Sequence, residues 1–373
     1  MPIQRDRVDA LLTRARREVD EGLLPSCQVA IGYEGELVAF EVFGDATLDT
    51  RYAVFSATKA FVAAVVWALI DEGQVDVTKP VVAYFPEFGA NGKDAITVEQ
   101  VMLHTSGFPA APMGAPEWST RESRVARMAS WRLNWEPGTA YEYHPTSAHW
   151  VLAEIIDRVT GGDYRDEVQR RITDPLGIPR MLGLPEGPAQ DGIATLVKVG
   201  EVATPEEVMA AFGVAELPVT EVTPDALLRF NDPATRAIGV PGGGGCMRAC
   251  DLALFYQGLL HNPGGFLPED VLRDATGRVR NSLPDRRSGV PANRGLGVIL
   301  AGDDGMSNMR GLGRTVSPRA FGHNGAAGQL AWGDPATGLS LGYTTNGVDL
   351  HVVREPRRGT AISSLAGLCT TPS

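Results

Sequence analysis

Ser56-Ala57-Thr58-Lys59 is the only Ser-x-x-Lys in the chain. Three residues apart on a helix, a hydroxyl and an amine share one face and come within hydrogen-bond reach. Serine becomes a nucleophile at neutral pH only beside a base, and lysine is a base only after losing its proton. The residues that follow favour that loss. Ala60 to Ile70 is hydrophobic on every face, the pattern of a buried helix. Burial disfavours an ammonium, and the positive end of the helix dipole pushes the same way. Taken alone, the tetrapeptide also describes a serine N-cap and a snorkelling first-turn lysine.

Other segments must position such a pair. Residues 5–22 read as an amphipathic helix, with Leu11, Leu12 and Val19 among arginines and acids. Cys27 to Tyr33 and Leu37 to Phe43 read as strands joined by Glu34-Gly35-Glu36, a hairpin signal. From Asp76 to about Gly245 helical patterns dominate, including Thr97 to Leu103 and Ser147 to Val159. Thr97 and Gln100 stand at capping-box spacing. Leu182 to Gly245 is loop-rich and closes on Pro241-Gly242-Gly243-Gly244-Gly245, where glycine permits close backbone approach or sharp turning. Strand patterns return at Gly295–Leu300, Gly328–Gly333 and Leu339–Thr344, and a last helix is predicted from Thr360 to Leu368. Strands at both ends imply one sheet domain built from residues 1–75 and 246–373, with 76–245 as a mainly helical insertion.

The ordered set Ser56-x-x-Lys59, Tyr143 behind Pro137-Gly138, and His323-Asn324-Gly325 resembles the serine β-lactamase and penicillin-binding-protein superfamily. Within it the chain is most similar to class C β-lactamases and family VIII carboxylesterases. Leu103-His104-Thr105-Ser106-Gly107 and Trp135 to Tyr143 match further segments, and the resemblance spans roughly residues 20–350. It implies an α/β (α+β) fold with an antiparallel central sheet flanked by helices. Gly-x-Ser-x-Gly, the signature of an α/β-hydrolase, is absent.

By that resemblance Ser56 is the nucleophile and Lys59 its general base. Tyr143 relays the proton to the leaving group and then activates water, with Lys59 as the cation expected to lower its pKa. The backbone N–H groups of Ser56 and Ala326 form the oxyanion hole, and His323 and Gly325 face the substrate. The motif match, not composition, selects Tyr143 over Tyr141. His104 is read as structural, Met102, Trp131, Trp135 and Trp150 as core, and Phe108 to Trp118 as either an acyl pocket or a surface loop.

Two departures bear on substrate. Relatives carry Lys-Thr-Gly where this chain has His323-Asn324-Gly325, and Tyr-x-Asn where it has Tyr143-His144-Pro145. A neutral histidine offers a hydrogen bond instead of a fixed charge, and proline lacks the amide. Both favour an uncharged ester over an anionic amide. The expected activity is a serine carboxylesterase acting on a small-molecule ester without a cofactor. A β-lactamase or D-amino-acid peptidase, an acyltransferase, and a non-catalytic binding module of the same fold stay open as alternatives.

Composition narrows the rest. In 373 residues the formal net charge is −11, and no dense Lys/Arg run occurs, which argues against nucleic acid or an anionic membrane surface as partner. The N-terminus lacks the pattern of a secretory signal, and Ala60–Ile70 is too short to span a bilayer, so a cytoplasmic protein without stable membrane insertion is expected. Cys246 and Cys250 have one-turn spacing but no second Cys/His pair nearby, so no metal site is expected. Oligomeric state is not legible.

Overall fold

The computed structural model describes residues 2–214, 216 and 221–370. Strands β1 (Ser26–Tyr33) and β2 (Glu36–Gly44) pair antiparallel through the predicted hairpin. Glu34 and Gly35 both take positive φ, 52° and 86°, the handedness that suits a two-residue turn between twisted strands. Four more strands, β3 (Ile299–Leu300), β4 (Phe321–Gly322), β5 (Leu330–Asp334) and β6 (Leu339–Thr345), complete an antiparallel sheet in the order β2-β1-β6-β5-β4-β3. Cys27 lies opposite Thr345, so the two ends of the chain meet at the centre of the sheet.

Helices cover both faces, which is why β1 is almost continuously buried rather than alternating. Helices α1 (Arg5–Asp20) and α5 (Arg354–Gly367) pack on one face, and α4 (Ala249–His261) on the other, with α2 (Thr58–Asp71) and α3 (Ser147–Thr160) beyond it. A Cβ on Gly342 would stand 1.9 Å from the Ala249 carbonyl oxygen, so only glycine lets α4 lie this close to β6. Every residue of α2 from Thr58 to Leu69 is buried, and Phe61 stacks on Phe255 of α4 at 3.8 Å between ring centroids. A helix buried on all sides needs no amphipathic stripe.

Several boundaries differ from expectation. Of Gly295–Leu300 only the last two residues form a strand. The preceding four are drawn onto α2: Gly297 has φ 89°, a Cβ on it would lie 2.5 Å from that of Ala63, and Leu296 O accepts the Trp67 indole at 2.8 Å. The last helix starts at Arg354, six residues early, because Pro356 falls in its first turn, where the missing N–H costs little. The described part of residues 182–245 includes the short α-helices Pro205–Phe212, Pro224–Leu228 and Pro233–Ile238, each opened by proline behind a Thr or Asp cap. Residues 249–261 carried no assignment from sequence. The Thr97–Gln100 capping box is present.

The described residues of 76–245 contribute no strand to the six-stranded sheet; Val197–Val199 pairs instead, in parallel, with Gly347–Asp349. No helix among the described residues is long and apolar enough to cross a membrane.

Candidate active site

Ser56 lies on a 3₁₀ turn, Phe55–Ala57, that runs into α2. The helix N-cap is Ala57, so Ser56 is not a cap. Phe55 takes φ 44°, a left-handed conformation costly for a bulky residue, and its ring is held edge-on to Phe230 at 5.6 Å. The glycine run explains how the backbone closes around this turn. Gly245 N–H donates to Thr58 Oγ1 at 3.0 Å, and a Cβ there would stand 2.7 Å from that oxygen. A Cβ on Gly242 would reach to 3.2 Å from Lys59 Nζ, and one on Gly325 to 2.1 Å from the Val54 carbonyl oxygen. Gly325 therefore lets the β4–β5 connection lie directly on the chain entering Ser56.

Lys59 is fully buried on the first turn of α2. Its Nζ lies 3.1 Å from Ser56 Oγ and donates to the carbonyls of Pro145, at 2.6 Å, and Gly242, at 2.5 Å. Burial drives its pKa well below the ordinary lysine value, and the positive charge of Arg294 adds to this; Glu221 pulls weakly the other way. Burial therefore favours the amine over the ammonium. In the amine form two N–H bonds serve the two carbonyls, and the lone pair is left for the Ser56 hydroxyl.

Tyr143 lies with its ring centroid 5.2 Å from Lys59 Nζ and 5.2 Å from the Arg294 guanidinium. The side chain is half-buried, but its hydroxyl is screened from solvent and makes no hydrogen bond among the described residues. Burial raises the phenol pKa, opposed by Arg294 and by the nearby Ser56 hydroxyl. The lowering influence on Tyr143 comes first from Arg294 rather than from Lys59, and burial outweighs it, so the phenol is favoured over the phenolate.

His323 is buried at the end of β4, its ring centroid 5.8 Å from that of Tyr143. Burial, and then the positive charge of Arg294, lowers its pKa far below the usual imidazole range. Nδ1–H donates to the Asn324 carbonyl at 3.0 Å, which leaves Nε2 as a bare acceptor with no partner among the described residues. The side chain expected to offer a hydrogen bond thus offers only a lone pair. Asn324 pins the connection, its Oδ1 accepting the Ala331 N–H at 2.9 Å.

Two more histidines brace the Tyr143 loop. His104 Nδ1 accepts the His144 N–H at 3.2 Å, while His144 donates from Nδ1 to Glu142 O at 2.6 Å and accepts the Phe108 N–H at 3.1 Å. Burial pushes His144 down to about 3.

Ser56 and Ala326 line a cleft of about 470 Å³. Its apolar walls include Phe55, Met113, Trp118, Leu227 and Phe230; its rim carries Glu117, Glu221, Arg127 and Arg229, two charges of each sign. Lys59, Tyr143 and His323 lie behind this lining. The 112–118 segment lines the cleft, whereas Phe108 is buried in the core. Three participants escaped sequence reading: the Pro145 and Gly242 carbonyls, which hold Lys59, and Arg294. No motif marks a backbone acceptor, and a lone arginine before Gly295-Leu296-Gly297 carries no spacing rule. All four cysteines are buried and unpaired, and no cluster of metal-ligating side chains occurs among the described residues.

The Beta-lactamase family model matches residues 11–364. The chain is 29% identical over 321 residues to the esterase/beta-lactamase LipL of Mycobacterium tuberculosis, covering 80% of this chain and 70% of that one. Among solved structures, a family VIII carboxylesterase superposes with TM-score 0.79 at 25% identity, covering 99% of both chains. A penicillin-binding protein homologue from Caulobacter crescentus gives TM-score 0.80 at 24% identity, again covering 99% of both.

Proposed function

The chain belongs to the beta-lactamase family and is a serine hydrolase of that fold, and from that premise we propose that it is a carboxylesterase acting through an acyl-enzyme on Ser56. The observation that carries the reading is the 3.1 Å contact between Ser56 Oγ and a fully buried Lys59, whose pKa burial drives down, at the edge of a largely apolar cleft. In the proposed first step Lys59 takes the Ser56 proton as Oγ attacks the ester carbonyl. The tetrahedral oxyanion is held by the N–H groups of Ser56 and Ala326, both at the cleft wall. Collapse expels the alcohol oxygen, which takes its proton from the Tyr143 phenol; the Lys59 ammonium then reprotonates the phenolate. Water attacks the acyl-Ser56 ester by the same exchange, releases the acid and restores the hydroxyl.

A fluorophosphonate probe should modify Ser56 and no other serine, as read by intact mass and peptide mapping. Folded protein that stays unlabelled, or labelling at Ser106 or Ser147, removes Ser56 from the nucleophile's role.

The substrate class follows from charge. Neutral His323 presents a lone pair where a substrate carboxylate would need a donor, and the rim charges balance in number. Neutral short-acyl esters should therefore give higher kcat/KM than nitrocefin or D-Ala-D-Ala peptides. LipL, named as both esterase and beta-lactamase, makes the comparison pointed. Nitrocefin hydrolysis faster than that of every neutral ester in a panel would move the reading to a β-lactamase.

A further inference from the structure

Arg294 is buried, 3% exposed, at the end of the loop that leads towards β3. Its Nε and Nη2 both donate to Tyr141 Oη, at 3.2 and 3.1 Å, and Nη1 has no hydrogen-bond partner among the described residues. No carboxylate lies within ion-pairing distance of it among the described residues, unusual for a shielded guanidinium. The neighbouring acids are engaged elsewhere. Glu142 pairs with Arg287 at 2.8 Å, Asp285 accepts the backbone N–H groups of Arg287 and Ser288, and Asp304 holds Arg310. Glu221 at the cleft rim accepts the Thr146 hydroxyl at 3.0 Å and acts on Lys59 and Tyr143 only as a minor influence. The surrounding imidazoles, His104, His144, His149 and His323, are all kept neutral by burial.

Arg294 is thus an uncompensated positive charge beside the same phenol ring that Lys59 approaches. Two like charges at one shielded ring repel strongly. Arginine cannot release its proton in a protein, so lysine must. The same charge favours the phenolate over the phenol.

We propose that Arg294 is the positioning residue that sets the protonation of the Ser56–Lys59–Tyr143 group, holding Lys59 as the free base and readying Tyr143 to give up its proton. This rests on the hydrolase reading above. It adds a cation from outside every motif, in a site whose strand position carries a neutral histidine.

Both ionisations should move together when the charge is removed. Without Arg294, Lys59 holds its proton to higher pH and Tyr143 does likewise, so the whole bell of rate against pH moves to the alkaline side. A charge within this distance shifts a buried group by about 1–3 pH units. The experiment compares wild type with Arg294→Met, Arg294→Gln and Arg294→Lys, each checked for folding by thermal melting. It measures the pH dependence of Ser56 phosphonylation by a fluorophosphonate and of kcat/KM on 4-nitrophenyl acetate. The glutamine variant keeps a donor for Tyr141 and loses only the charge. Its acid and alkaline limbs should both rise by about one unit or more, the rate lost on the acid side being recovered as the pH is raised. Arg294→Lys should restore most of the wild-type position. Limbs that coincide with wild type in the glutamine variant, with a uniform rate loss at all pH values, would reduce Arg294 to a structural support and overturn the proposal. Wild-type protein that is not labelled at Ser56 overturns the hydrolase reading instead.

Discussion

Lys59→Ala is expected to lower kcat/KM on a neutral ester by about 10²–10⁴-fold, the usual loss when one general base is removed. The expectation follows from isolation. Among the described residues, Lys59 is the basic group seen within hydrogen-bond reach of Ser56 Oγ, and no imidazole nitrogen is hydrogen-bonded to that oxygen. Tyr143→Phe should cost a similar factor by removing the acid that protonates the leaving alkoxide. In the proposed mechanism the two groups exchange one proton, so the double variant should be little worse than either single one. Losses that multiply would mean that they act in separate steps. Tyr141→Phe should cost much less, since Tyr141 touches Arg294 and not the reacting atoms. A reversed order, with Tyr141→Phe damaging and Tyr143→Phe harmless, would show that the neighbouring tyrosine is the reactive one.

Arg358→Met is expected to destabilise the fold by about 3–5 kcal/mol, the typical result of stranding buried carboxylates. Arg358 is 2% exposed and joins three parts of the chain: Glu18 of α1 at 2.5 Å, Asp349 at the end of the 347–349 strand at 2.7 Å, and its own helix α5. Asp349 also receives Arg354 at 2.6 Å, and Glu18 receives Arg14 at 2.5 Å, so no member can leave without exposing another's charge to the apolar layer. Urea melts followed by circular dichroism would read the change, and activity per folded molecule should be untouched. A midpoint that hardly moves would mean that the remaining arginines satisfy both acids.

How much of this was written in the sequence depends on the kind of signal. The hairpin at Glu34-Gly35, the buried α2 and the Thr97 cap were legible because local chemistry dictates them. Gly295–Leu300 read as a strand because alternation is blind to a partner: Gly297 is a contact with Ala63 on a helix more than 230 residues earlier. The Ser56–Lys59 contact was legible from spacing, whereas Tyr143 needed a motif. The amine's carbonyl cradle was invisible, since Pro145 and Gly242 act through backbone atoms that every residue possesses. Arg294 was invisible for a different reason. Its meaning lies in the carboxylates that are not beside it, and a sequence does not show who fails to be a neighbour.

The meeting of β1 with β6 also governs when activity can begin. Residues 27–33 must wait for 339–345 before the inner edge of β1 is closed. At about 5–20 residues per second of synthesis, that gap lasts roughly 15–60 s on the ribosome. The turn carrying Ser56 is seated against Gly325, which emerges in the same late interval. Pairing across such a distance is slow to nucleate, so an unfinished chain exposes an apolar strand edge that a chaperone would have to shield. On the proposed mechanism, a nascent or truncated chain would carry the serine and the lysine without the seat that makes Ser56 a nucleophile, and reactivity would be switched on by completion of the fold, late and all at once.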